Sequence, residues 1–267
     1  MKTYFRLNTL PFWIIHSLSL GVLFLPWSWS GPAIALVSYY SRMFFVTAGY
    51  HRYFSHRAYH LGRIPQFLLA FFAMTSSQKG VLWWASHHRE HHRHSDQAGD
   101  IHSPKEGFLW SHMGWMLSDR YSESQIKRIP DFARFPELVW LDRHWTVPVW
   151  FFGIALYLMG GWFAVIWGLC VGTVLLWHGT FTINSLSHIW GRRRYPTTDT
   201  SRNNGVLSLI TLGEGWHNNH HHFPSAARNG FFWWELDVTY YGIRLLEMLG
   251  VASRLVQVPE RILKPKG

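Results

Sequence analysis

Residues Trp145 to Gly191 read WTVPVWFFGIALYLMGGWFAVIWGLCVGTVLLWHGTFTINSLSHIWG, 47 residues without one Asp, Glu, Lys or Arg. A helix that crosses a bilayer needs about 20 apolar residues. The block therefore has room for two crossings, with a turn at Met159-Gly160-Gly161. A second uncharged block runs 35 residues from Leu7 to Ser41. It continues past Arg42 to Tyr50, and Pro26-Trp27-Ser28-Trp29-Ser30-Gly31-Pro32 supplies its turn, with Trp at the depth of the membrane interface. The fold predicted is all-α and membrane-integral: four transmembrane helices in two hairpins, residues 7–50 and 145–191.

Charge placement agrees. Of 25 Lys and Arg, Arg42 alone falls inside either hairpin, and neither outer turn is charged. The positive-inside rule puts the N-terminus, the central segment 51–144 and the C-terminal part 192–267 on the cytosolic side. Arg42 either snorkels to the interface or faces the bundle interior. The net charge of +10 then belongs to a cytosolic face beside anionic headgroups rather than to a nucleic-acid binder. The whole chain, 1–267, reads as one membrane domain. No cleavable signal is expected, because no small-residue cleavage site follows the first apolar segment.

Composition narrows the class further. Aromatic residues make up 18% and charged residues only 15%, where a soluble domain carries about a quarter charged. The single cysteine, Cys170, excludes a disulfide framework and an iron–sulfur cluster within the chain. Ile64 to Ala85 is long and apolar enough to span, but a crossing there would separate the histidine clusters on either side of it. It reads instead as a buried or interfacial helix packed on the bundle. Thr239 to Val251 reads as an amphipathic helix lying on the membrane.

The histidines carry the chemistry; there are 18. Four groups stand out: His51-Arg-Tyr-Phe-Ser-His56, His88-Arg-Glu-His91-His92, Asn184-Ser-Leu-Ser-His188 and His217-Asn-Asn-His220-His221. Positions i, i+3 and i+4 share one helix face, so each HxxHH presents three imidazoles together. Asn184 and His188 share a face in the same way. His51 and His56 are five apart, which an α-helix does not align, so a helix end is expected there to turn both rings inward. Nine histidines and one asparagine exceed the three or four ligands of a zinc site and suit two metals of higher coordination number. The donor set also differs from the Glu-rich soluble di-iron bundles. His16, His60, His94, His144 and His178 stand alone and read as structural or solvated. A His-rich metal transporter would place its ligands within the spans; here they lie at the cytosolic ends and beyond.

With these motifs, and with Thr47-Ala-Gly-Tyr before His51, Gly213-Glu-Gly-Trp before His217, Gly107-Phe108 and His112-Met-Gly-Trp115, the chain resembles the membrane fatty acid desaturases. The likeness is to the Δ9 group, which includes stearoyl-CoA desaturases and cyanobacterial acyl-lipid desaturases, and it runs from about Tyr39 to Leu249. The resemblance implies four transmembrane helices under a cytosolic helical cap that holds two irons. One iron would take His51, His56, His88, His92 and His220. The other would take His91, His188, His217 and His221, with Asn184 reaching it through water. It implies O2-dependent removal of two hydrogens from an unactivated acyl chain, carried on CoA or a lipid, to give a cis double bond, Δ9 by analogy. It also implies that Trp84 borders the acyl tunnel, although by composition alone Trp84 reads equally as a core residue. Asp96 and Asp100 are expected to orient imidazoles or to be solvated loop carboxylates.

There are departures. His87 and His222 extend two clusters, and His87 is i−4 to His91, so spacing alone leaves the register of the second cluster open. Glu90 stands where a small or apolar residue is usual. Ser86-His87 replaces the Arg-Asp of the animal acyl-CoA enzymes, which weakens the case for a CoA grip of that type. No donor domain fits outside the core, so electrons are expected from a separate ferredoxin, or a cytochrome b5-like protein with its reductase. Arg52, Arg57, Arg63, Arg192, Arg193 and Arg194 either steer it or simply obey the positive-inside rule. A bacterial inner membrane is the expected location. The alternative outcome of the same site is a membrane hydroxylase or monooxygenase of an acyl or alkyl chain.

Overall fold

The computed structural model describes residue 4 and residues 6–264. It is almost wholly helical, built from α1 (Leu10–Ser19), α2 (Ser30–Phe45), α3 (Arg63–Met74), α4 (Val81–His94), the single turn α5 (Pro130–Ala133), α6 (Pro136–Arg143), α7 (Val147–Ala164), α8 (Gly172–Asn184), the short α9 (Leu186–Ile189), α10 (Gly205–Ile210), α11 (His217–His222), α12 (Val238–Met248) and α13 (Glu260–Leu263). A feature not expected from the sequence is a two-residue antiparallel ladder, β1 (His60–Leu61) with β2 (Ala252–Ser253), which ties the start of the cap to the C-terminal part.

Among the described residues, two helical stretches are long and apolar enough to cross a membrane: Leu7–Phe24, which is α1 with a 3-10 turn at each end, and Val147–Ile189. The second is broken where the sequence predicted a turn. Gly160 and Gly161 leave helical geometry, and Gly161 takes φ +59°, open to glycine at little cost. Beyond the break, α7 packs back on the π-helical segment Val165–Val171 that leads into α8. That segment and α8 also pack on α2. Two glycines permit the close approach: a Cβ on Gly31 would overlap the indole of Trp167, and one on Gly179 would meet the Tyr39 hydroxyl. Trp27 and Trp29 in the turn before α2 are 70% and 79% exposed, and Met159 before the glycine break is 81% exposed.

Arg42 does not snorkel. It is buried in the bundle, with Nε on the Ser38 carbonyl (3.1 Å), Nη1 on Thr173 Oγ1 (2.6 Å) and the Thr75 carbonyl (3.3 Å), and Nη2 on the Gly168 carbonyl (3.1 Å). It donates to carbonyls of α2, of the turn after α3 and of the π-helical segment before α8.

The segment Ile64–Ala85 is two helices rather than one. The run Thr75-Ser-Ser-Gln-Lys-Gly80 breaks it, with Ser77 and Lys79 both in the left-handed region. Asp142 on α6 then receives the first free amides of α4, Leu82 N at 2.8 Å and Trp83 N at 2.9 Å, and so sets where α4 starts. The amphipathic C-terminal helix is α12. Thr239 and Ile243 face the core, while Tyr241, Leu245 and Met248 are exposed.

Candidate metal centre

The first pair of histidines is aligned by a π-helix. Val46–Ser55 closes i→i+5 hydrogen bonds, and the His56 amide reaches the His51 carbonyl at 3.2 Å. Residues five apart therefore lie one above the other. The expected helix end lies at His56, but π geometry, not the chain's exit from the helix, brings the two rings together. α4 supplies His88, His91 and His92, and α9 supplies His188 after the backbone bends at Ser185. α11 supplies His217, His220 and His221, and is held by the asparagines between them. Asn218 Oδ1 accepts from the Arg194 and Tyr195 amides at 2.7 Å each. Asn219 donates to Glu235 Oε2 at 2.8 Å and to the Asn229 carbonyl at 3.0 Å.

The nine imidazoles fall into two groups, each with its ligand atoms within 4.8 Å of one another: His51, His56, His88, His92 and His220; and His91, His188, His217 and His221. In the first, Nε2 atoms lie at 3.0 Å (His51–His220), 3.0 Å (His220–His92), 3.1 Å (His92–His88) and 2.9 Å (His88–His56). In the second, His188 and His217 present Nε2 atoms 3.1 Å apart. A metal–imidazole bond of about 2.1 Å puts ligand nitrogens about 3.0 Å apart at right angles and about 3.4 Å apart at the tetrahedral angle. The spacings match octahedral-type edges. His221 Nε2 is buried with no hydrogen-bond partner, a cost a bound cation would remove. The residues fit a pair of metal ions.

Each group is oriented from behind. His91 Nδ1 donates to Asp100 Oδ1 (2.8 Å), His188 Nδ1 to Asp96 Oδ2 (3.2 Å) and His221 Nδ1 to Asp199 Oδ2 (2.9 Å), while His51 Nδ1 faces Glu214 Oε2 at 2.6 Å. Fixing the proton on Nδ1 leaves Nε2 free as a ligand atom. Asp96 and Asp100 are thus imidazole partners and not solvated loop residues. Asp199 and Glu214 do the same work, and the sequence reading missed both; Glu214 adjoins a histidine motif, while Asp199 stands in a loop away from any. Burial opposes ionisation of Asp96, Asp100 and Asp199, but their imidazole, hydroxyl and amide donors outweigh it and hold all three well below the usual carboxylate range. Burial, and then the neighbouring imidazoles, push His56, His88, His92, His217 and His220 well below 6.5. For His221, burial outweighs Asp199 and lowers it to about 4.

Other predicted residues lie elsewhere. His87 is outside both groups; its Nδ1 contacts the Trp83 carbonyl at 2.8 Å. His222 stacks on Tyr195, ring centres 4.0 Å apart. Asn184 lines two small cavities, of about 30 and 40 Å³, that share Trp84, His88 and Thr180 as a wall. Trp84 stacks on His88 (4.8 Å) and Tyr50 (5.4 Å), and its Nε1 donates to Gln78 Oε1 at 3.3 Å. Gln78 in turn donates to Thr180 Oγ1 at 3.1 Å. His102, unremarked in the sequence, stacks on His91 at 4.1 Å and lines the smaller cavity.

Arg52 corrects the basic-face reading. It is 1% exposed and locked between Glu214 (2.9 Å) and Asp237 (3.0 Å), so no partner can reach it. Arg63 is paired with Glu137, while Arg192 and Arg193 are exposed.

Residues 26–244 match the fatty acid desaturase family. The chain belongs to that family. The desaturase is 38% identical to the sn-2 palmitoyl-lipid 9-desaturase of Nostoc sp. (strain 36), over 95% of this chain and 90% of that protein. It is 39% identical to Delta-9 acyl-lipid desaturase 2 of Arabidopsis thaliana, over 92% and 80%. It is 36% identical to the acyl-CoA 5-desaturase AL21 of Anemone leveillei, over 94% and 79%. It is an oxidoreductase of the fatty acyl desaturase class, in a membrane-associated family that uses iron and O2. All three relatives carry desaturase names, which does not favour the hydroxylase alternative.

Proposed function

We propose that this desaturase introduces a cis double bond at the Δ9 position of a saturated acyl chain on a membrane lipid. It would use two irons, one held by His51, His56, His88, His92 and His220, the other by His91, His188, His217 and His221, with Asn184 acting through water. The observation that carries this reading is the convergence of nine imidazoles into two sets, with neighbouring Nε2 atoms of the five-histidine set 2.9 to 3.1 Å apart. Iron supplied with O2 and two external electrons provides the oxidant that removes two hydrogens, and two protons from solvent complete the reduction of O2 to two waters.

The rest is positioning by the chain. The C–H bonds carry no activating group, so the site of reaction depends on where the acyl chain is held. The two cavities flanking Trp84, His88, Thr180 and Asn184 are the proposed seat of the reacting segment, with Trp84 as a wall. Lipid-linked substrate is supported by the acyl-lipid names of two relatives and by Ser86-His87 at the place of an Arg-Asp pair; an acyl-CoA substrate is the other outcome of the assay.

Four spans are proposed, with α1 and α2 as one hairpin and the Val147–Ile189 stretch folded back at Gly160–Gly161 as the other. The exposed Trp27, Trp29 and Met159 at the two turns support this, and the charge distribution supports a site on the cytosolic side. A separate ferredoxin or cytochrome b5-like donor is proposed to dock on the exposed basic residues. The test is expression in a host lacking membrane desaturases, with a donor system supplied and double bonds located by mass spectrometry. A Δ9 mono-unsaturated acid is expected from the natural chain and none from His217→Ala, with that variant still inserted in the membrane. Wild-type yield from the variant would remove His217 from the centre.

A further inference from the structure

We propose that the two metal positions are electronically unequal. Asp96, Asp100 and Asp199 make the position at His91, His188, His217 and His221 the first to become ferric. This rests on the di-iron reading above. Three of those four imidazoles donate Nδ1–H to buried carboxylates, at 2.8, 3.2 and 2.9 Å. Each carboxylate also accepts further hydrogen bonds. Asp96 Oδ2 accepts from the Thr200 amide and hydroxyl, both at 2.6 Å, Asp100 Oδ2 from the Asp96 amide at 2.8 Å, and Asp199 Oδ1 from the Ser201 amide at 2.9 Å.

The five-histidine position is built differently. Only His51 faces a carboxylate, Glu214, and that charge is shared with Arg52, which also binds Asp237. Two carboxylates and one guanidinium leave one net negative charge there. Among the described residues, His56, His88, His92 and His220 have no carboxylate at ion-pair distance. An imidazole that donates to a carboxylate is a stronger electron donor to its metal. Fixed negative charge in a poorly screened site stabilises the more highly charged ion. Both effects favour ferric iron at the four-histidine position.

Asp96→Asn separates charge from geometry. The amide oxygen can take the place of Oδ2 and keep the bonds from His188 and Thr200, while the NH2 turns to Ser103 Oγ, which lies 3.3 Å from Oδ1. The experiment loads purified protein with 57Fe, counts iron per chain, and follows an anaerobic redox titration by Mössbauer spectroscopy. Expected are two irons oxidised in two resolved steps, with Asp96→Asn raising the potential of the first step and leaving the second in place. A single two-electron step, or a shift confined to the second step, overturns the proposal. Fewer than two irons in the natural chain overturns the di-iron reading itself. Pulsed EPR of natural protein poised after the first step tests the same claim without a variant. A ferric ion coupled to four imidazole nitrogens is expected, and one coupled to five overturns it.

Discussion

His56, His88, His92, His217 and His220 are held neutral by burial well below 6.5, and His221 to about 4. A metal entering this centre therefore displaces few protons at mildly acid pH, unlike one binding free imidazoles. Calorimetry of Co2+ binding to metal-free protein at pH 6, in buffers of different ionisation enthalpy, should show far less than one proton released per histidine; release near one each would contradict the burial argument. The same depression sets the acid stability of the metal-free protein. Below about 6.5 the unfolded chain takes up protons that the folded chain refuses, so the unfolded state binds more protons and stability falls as pH falls. Asp96, Asp100 and Asp199, also depressed, extend the loss to lower pH. Thermal unfolding in detergent should show a midpoint that declines from pH 7 to pH 5, and a flat profile would refute it. At this scale the ligand types were legible, because HxxHH is a face pattern. The Asp199 and Glu214 partners were not, since nothing in sequence spacing marks a carboxylate that arrives from another loop.

Among the elements, α1, α8 and the cap meet in an apolar cluster of Phe12, Trp177, Phe181 and Leu117 with a polar chain beside it. His16 Nε2 lies 3.1 Å from His178 Nε2, His178 Nδ1 lies 2.9 Å from His112 Nε2, and His112 Nδ1 lies 2.9 Å from Ser185 Oγ. His178 uses a different nitrogen toward each neighbour, so the three rings form a chain and not a convergent metal site. His178→Leu would strand both neighbours. The expected cost is about 1–3 kcal/mol, read as a lower unfolding temperature in detergent with iron content unchanged. An unaltered midpoint would show that the chain contributes no stability. The structural reading of His16 and His178 was available from their isolation in the sequence, but their pairing was not. The π-helix at Val46–Ser55 was equally hidden, because a five-residue spacing is off-face in every α-helix and meets its partner only where an extra residue enters the turn.

For the whole molecule, the proposed four-span arrangement makes a sided prediction. In a chain whose buried Cys170 is replaced, Ser28→Cys and Met159→Cys should react with an impermeant thiol reagent from one face of the membrane, and Gln97→Cys from the other. Labelling of Met159→Cys from the Gln97 side would refute the second hairpin. What the sequence determined by itself was the uncharged blocks, the breakers within them and the histidine faces. These follow from local rules of bilayer thickness, glycine and proline geometry and helical period, which act over a few residues. Tertiary structure alone decided that Arg52 is buried while Arg192 is not, and that four carboxylates back the nine rings unevenly. Those outcomes depend on residues over 100 positions apart, such as Asp96 and Thr200, meeting in a buried space where an unpaired charge is costly.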